Sequence, residues 1–336
     1  MTRLTVNPKA TVHVVSHPCA MMGVVSLRVG IMLPSREYAV TGRQELARLV
    51  AFAVQAEEAG FDSVWAGDSL LARTRAEPLT LLAAVATATT QVTLGTAALI
   101  GPLRGPLLAA AQAATVDHVS RGRLTLGLGS GAPLPESRRE FAAAAVPFSG
   151  RASRLDEMVR LWRHAWAGRG EFIGDHWRID DLSGALQPFR PGGPPLWLAG
   201  GGTPAVLERV AHDYDGWLPY LPDPAVYAQA WQRIREQTDR DITPALYATV
   251  LITDDRLRGR EQLDSYTRAY YRQPLDVIST LQAFRAGTAR DCADWLGQYV
   301  QAGARHLILR VGSLDPHPGM LAEALVPSLR CLNTSH

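Results

Sequence analysis

Three short stretches of this chain carry residue types that could do chemistry. In Gly200-Gly201-Gly202-Thr203-Pro204 the glycines let backbone N–H groups approach a ligand with no Cβ in the way. Thr203 stands where a helix N-cap would, and Pro204 at the first helical position. A helix start reached through glycines is a phosphate site; a flexible turn is the plain alternative. Gly127-Leu128-Gly129-Ser130-Gly131-Ala132 spells G-x-G-x-x-A, yet Pro133 and Pro135 follow where a helix should open. No acid stands about twenty positions on, so a dinucleotide fingerprint is disfavoured and a close backbone approach to some other ligand is preferred. Asp68, in Trp65-Ala66-Gly67-Asp68-Ser69, offers a carboxylate for a ring N–H or for positioning a proton donor. Its alternative is a cap or a loop salt bridge.

Other chemistries find no support. The chain has no G-x-S-x-G elbow, no H-E-x-x-H and no acidic ladder for a metal. Cys19, Cys292 and Cys331 are scattered, which disfavours structural zinc and a disulfide framework and fits a reducing cytoplasm. The 336 residues are 47% hydrophobic and 20% charged with a formal net charge of +2, giving no argument for nucleic acid or an anionic membrane. No segment is apolar for long enough to span a bilayer, and residues 1–26 lack the apolar run of a signal peptide. His118 and His306 stand away from strand ends and read as structural.

The elements that must position these residues form a repeating strand–turn–helix pattern. Strands are expected at 27–33, 63–66, 92–99, 123–129, 196–199, 216–218, 246–252 and 306–311, nearly continuously apolar. Helices are expected between them, with helical material filling 256–300. Two small insertions break the pattern: a Pro-containing excursion over 132–150, and a hairpin over 172–181 centred on Gly174-Asp175. The expected fold is a single (β/α)₈ barrel over 27–336 behind an N-terminal arm of 1–26, with its active site at the C-terminal ends of the strands. Those ends carry Leu33-Pro34-Ser35, Gly67-Asp68-Ser69, Ala97-Ala98-Leu99, Gly129-Ser130-Gly131, Gly200 to Thr203, Pro219-Tyr220 and Arg310.

The order of segments resembles the bacterial luciferase-like flavin-dependent oxidoreductases. The resemblance rests on Glu58 to Trp65, Val92 to Thr96 with Pro102-Leu103-Arg104-Gly105-Pro106, and Ser120 to Gly131. It continues through Arg154 to Glu157, Pro195 to Gly201, Asp215 to Pro219 and Gly303 to Arg310. It implies an oxidoreductase holding reduced FMN, used with O₂ as a monooxygenase, or coenzyme F-420, used for hydride transfer, on a small organic substrate. A non-catalytic flavin-binding barrel is the alternative.

The resemblance also implies roles. The turn at Gly200, Gly201, Gly202 and Thr203 would grip the cofactor phosphate, and Gly129, Ser130 and Gly131 would lie along the ribityl chain. Ala97-Ala98 would be a non-proline cis peptide beneath the ring. Asp68 and Ser69 would orient proton or hydride transfer, although many members carry His where Ser69 stands. Ala132 replaces the Glu of the sugar-phosphate dehydrogenases, and Ser130 the luciferase phosphate Arg, so neither activity carries over. Met32, Pro34, Trp65 and Tyr220 are candidates for the substrate wall. A separate flavin reductase and a homodimer formed through barrel helices are the partners implied.

Overall fold

The computed structural model describes residues 26–43, 45–72 and 75–332. Nearly all of the arm, with Cys19, lies outside the described residues. The strands are β1 (Arg28–Met32), β2 (Ser63–Ala66), β3 (Thr93–Ile100), β4 (Leu124–Gly129), the hairpin β5 (Phe172–Ile173) and β6 (Arg178–Ile179), β7 (Leu196–Ala199), β8 (Gly216–Leu218), β9 (Thr243–Ile252), β10 (Ala283–Gly287) and β11 (His306–Val311). Hydrogen-bonded neighbours run β10-β9-β11-β1-β2-β3-β4-β7-β8, all parallel, and β8 pairs with β9 to close the ring. The architecture is a (β/α)₈ barrel.

Alternation along each strand decides what fills it. Met32, Trp65, Trp197, Leu218, Ala245 and Ile308 form one buried interior cluster, with Ala97, Ala199 and Tyr247 packed on it. The opposite faces join a much larger core with the helices, among them Val29, Ile31, Val64, Leu94, Leu126, Leu196, Leu246 and Leu309. Both faces are therefore dry, which is why the strands read as unbroken apolar runs.

Local signals set the turns. Helix Pro106–Ser120 opens on Pro106 and ends through Arg121 and Gly122 at φ 55° and 79°, the left-handed stop that glycine favours. Helix Pro204–Asp213 opens the same way behind an extended Thr203.

The structure departs from the sequence expectation in three places. Residues 256–300 are not all helical: helices Arg256–Tyr271 and Leu275–Ile278 are followed by β10, which pairs with the C-terminal half of β9. Its sequence, Ala-Phe-Arg-Ala-Gly, carries no β-branched residue and so gives no strand signal. β9 starts three residues before the expected Leu246: Thr243 and Pro244 stand beside Gly216 and Trp217 of β8, and Pro244 O accepts from Arg305 N at 2.8 Å. In the excursion after β4, Pro135 is not a breaker but the first residue of helix Pro135–Ala143.

Candidate active site

The lower half of the barrel is filled solid. Trp65 and Trp197 lie 5.3 Å apart, and both meet the edge of His306 at 5.5 and 5.4 Å. Trp65 Nε1 donates to Ser63 Oγ at 2.8 Å, and that oxygen lies 2.7 Å from His306 Nε2. Glycines make room for the indoles: a Cβ on Gly95 would meet the Trp65 ring at 2.1 Å, and one on Gly216 would meet Trp197 at 2.4 Å. Burial drives the His306 pKa down to about 3, so the imidazole is neutral. Met32 and Trp65 belong to this floor. Pro34 is buried at the start of helix Ser35–Val40, and Tyr220 stands 38% exposed at the rim beyond β8.

Above the floor, the ends of β2 and β3 are tied together by charge. Asp68 Oδ2 accepts from Ile100 N at 2.8 Å and from Arg104 Nη1 at 2.6 Å, while Arg104 Nη2 reaches Asp68 Oδ1 at 3.1 Å and Glu77 at 2.9 Å. Ser69 is buried and donates to Glu140 Oε1 at 3.1 Å. The same oxygen accepts from Leu71 N at 2.9 Å and from Leu70 N. Glu140 has no local sequence signal as a site residue, since it falls in the Pro-containing excursion over 132–150, where the structure forms helix Pro135–Ala143.

The wall formed by β3, β4 and β7 is almost bare of side chains. The Ala97-Ala98 peptide is cis, both residues are half-buried, and a Cβ on Gly129 would sit 3.4 Å from Ala98 Cβ. Gly131 has φ 90° and lies over Phe141, which leaves no room for a Cβ. Gly201 differs. Its φ is not positive and the nearest atom to an added Cβ would be 3.9 Å away, so the fold does not require glycine there. The N–H groups of Gly201, Gly202 and Thr203 find no acceptor in the protein among the described residues. A turn that is free of side chains without structural need, with its amides unspent at a helix start, fits an anionic group such as a cofactor phosphate. Ser130, between Gly129 and Gly131, is half-buried beside the same wall.

Across the mouth, β1, β9 and β11 carry the opposite character. Arg310 is buried and holds Glu37 Oε1, which also accepts from Tyr266 OH at 2.9 Å; its Nε donates to Tyr247 OH. Burial works against the Arg310 charge, but Glu37 and the surrounding phenols more than offset it and hold the guanidinium protonated. The guanidinium carbons of Arg36, Arg310 and Arg75 lie 4.8, 4.7 and 5.8 Å from the centre of the Tyr270 ring. Sequence reasoning reached Arg310 as a strand end. It missed Arg75, Glu37 and the tyrosines of helix Arg256–Tyr271, whose only signal was aromatic spacing at 266, 270 and 271. No group of residues suited to hold a metal occurs among the described residues, and no helix among them is long and apolar enough to cross a membrane.

A family model described as luciferase-like monooxygenase matches residues 27–306. The coenzyme F-420-dependent glucose-6-phosphate dehydrogenase of Amycolatopsis mediterranei is 27% identical over 84% of this chain and 95% of its own length. The oxygenase component of the flavin-dependent trigonelline monooxygenase of Acinetobacter baylyi is 29% identical over 47% of this chain and 44% of its own. In fold, the monooxygenase RslO1 from Streptomyces bottropensis superposes with a TM-score of 0.73 at 21% identity, covering 90% of this chain and 99% of that one.

Proposed function

The chain belongs to the luciferase-like monooxygenase family and is an oxidoreductase of the flavin and deazaflavin class; from that premise we propose that it transfers hydride between coenzyme F-420 and a small organic substrate. The observation that carries the cofactor site is the Gly200–Thr203 turn, whose unspent amides meet a side-chain-free approach. The choice of F-420 over FMN is supported by the relative that matches along nearly its whole length.

In this reading the bound ring supplies the two-electron step when present. The chain's own residues do the rest. Gly201, Gly202, Thr203 and the start of helix Pro204–Asp213 bind the phosphate, and Ser130 and Gly131 flank the connecting chain. Ala97, Ala98 and Gly129 offer a flat face. Asp68 holds the end of β3 in place through Ile100 N, which makes it a positioning residue, and Ser69 is held on the same corner by Glu140. The apolar floor that includes Met32 and Trp65 keeps water out from below, while Pro34 and Tyr220 flank the substrate's approach. The unit acting is residues 27–336, working in the cytoplasm as a homodimer through barrel helices.

Fluorescence titration with coenzyme F-420 and with FMN, followed by anaerobic substrate reduction, tests the reading. Tight F-420 binding with anaerobic turnover supports it. Preference for reduced FMN, with turnover only in O₂ and beside a separate flavin reductase, replaces it with oxygenation, the chemistry in the trigonelline relative's name. Binding without turnover in either assay replaces it with a non-catalytic flavin-binding barrel. Wild-type turnover in both Asp68→Ala and Ser69→Ala removes those two residues from the site.

A further inference from the structure

We propose that Arg75 is a specificity-determining residue that selects a substrate bearing a carboxylate. The proposal rests on the oxidoreductase reading for the identity of the mouth, and names the class of molecule that enters it.

The argument starts at Gly67, one residue past β2. Side chains alternate along this strand, and Ser63 and Trp65 point into the barrel, so position 67 points inward too. Gly67 has no side chain, and Arg75 takes its place: a Cβ built on Gly67 would fall 1.8 Å from Arg75 Nη1. The guanidinium therefore occupies the inward position above Trp65, on the rim at the end of β2. Tyr270 steadies it, accepting from Arg75 Nη2 at 2.9 Å with its ring 5.8 Å from the guanidinium carbon.

Charge makes the position informative. Of the other arginines at this mouth, Arg104 is matched by Asp68 and Glu77 and Arg310 by Glu37, while the buried Arg36 donates from Nε to Tyr270 O at 2.8 Å. Arg75 is half-buried and has no carboxylate within ion-pair distance among the described residues. Its Nε is buried without a hydrogen-bond partner. A guanidinium withdrawn from water without a counter-charge is costly, and a planar carboxylate is the partner its fork of donors matches. The floor below is aromatic and the wall that begins at the neighbouring β3 is bare, so the rest of the ligand is small and apolar or aromatic.

Benzoate and benzamide serve as matched probes, titrated calorimetrically into the protein with and without bound cofactor. The expected result is a preference for benzoate of about tenfold. In Arg75→Gln that preference falls to within about twofold, with benzamide affinity unchanged, and Arg75→Lys restores part of it. Gly67→Ala gives an independent check: its methyl displaces the guanidinium while keeping the charge in the molecule, and the preference falls as in Arg75→Gln. Equal affinity for the two probes in the wild type overturns the proposal, as does an undiminished preference in Arg75→Gln. A loss of cofactor affinity in Arg75→Gln without a change in probe preference also overturns it, assigning the guanidinium to the cofactor ring. Arg75-dependent benzoate binding in a protein that takes up neither F-420 nor FMN upholds the anion site and sinks only the cofactor reading.

Discussion

Asp68 and Arg104 meet as a two-point ion pair, Oδ2 to Nη1 at 2.6 Å and Oδ1 to Nη2 at 3.1 Å, with side chains only 1% and 11% exposed. The pair joins the corner after β2 to the short turn after β3, and the extra bond from Ile100 N fixes where the cis Ala97-Ala98 segment ends. A carboxylate placed here does architectural work at the edge of the reactive space.

Removing one partner of such a pair leaves a buried charge unmet. Arg104→Met is expected to lose about 3–5 kcal/mol of stability in urea unfolding. The double variant Asp68→Asn with Arg104→Met, which leaves only the more exposed Glu77 carboxylate without its arginine, loses less than Arg104→Met alone. Equal losses in the two would show that the ion pair is not what holds this corner.

His306 sets an acid limit. Burial lowers its pKa to about 3, below that of an unfolded histidine, so its contribution to stability is complete above about pH 6.5 and is lost as the pH falls toward 3. Over that window the slope approaches about 1.4 kcal/mol per pH unit. His306→Asn removes this part of the slope, seen as a smaller difference between urea midpoints at pH 7.5 and pH 4.5 than in the wild type. An unchanged difference would mean that the imidazole is already charged in the fold.

Gly201 and Gly131 separate binding from folding. Gly201→Val is expected to hold Tm within about 2 °C of wild type while weakening cofactor binding by about tenfold or more. Gly131→Val, at φ 90° and against Phe141, is expected to cost about 1–3 kcal/mol of stability. If Gly201→Val bound cofactor normally, the phosphate would have to sit elsewhere.

Glu140 carries a loop on one oxygen. Glu140→Ala strands the N–H groups of Leu70 and Leu71 and should cost about 1–3 kcal/mol. Amide exchange at those two positions should rise selectively, while Glu140→Gln, which keeps a carbonyl acceptor, stays closer to wild type. Unchanged exchange in the alanine variant would assign the loop's order to other contacts.

The barrel strands were legible because each is dry on both faces, so apolar runs such as Leu-Thr-Leu-Gly-Leu-Gly in β4 stand out without knowledge of their neighbours. β10 was not, since its residues have weak strand preference and it exists only because the outer half of β9 offers it an edge. The same contrast holds in the mouth. Gly200 to Thr203 announces itself through local spacing, and Ala97-Ala98 was located by register with a family. Arg75, Glu37 and Glu140 acquire meaning only when segments far apart in the chain converge: Tyr270 lies 195 residues beyond Arg75, and Arg310 lies 273 beyond Glu37. No window of sequence contains such a relationship.

The packed indoles of Trp65 and Trp197, with His306 wedged beside them, also govern traffic. Plugged at one end, the cylinder has a single doorway, so whatever is made there must leave by the route its successor takes to enter. Product and substrate then compete for the same vestibule, and product accumulating in the assay is expected to raise the apparent KM while leaving kcat unaltered.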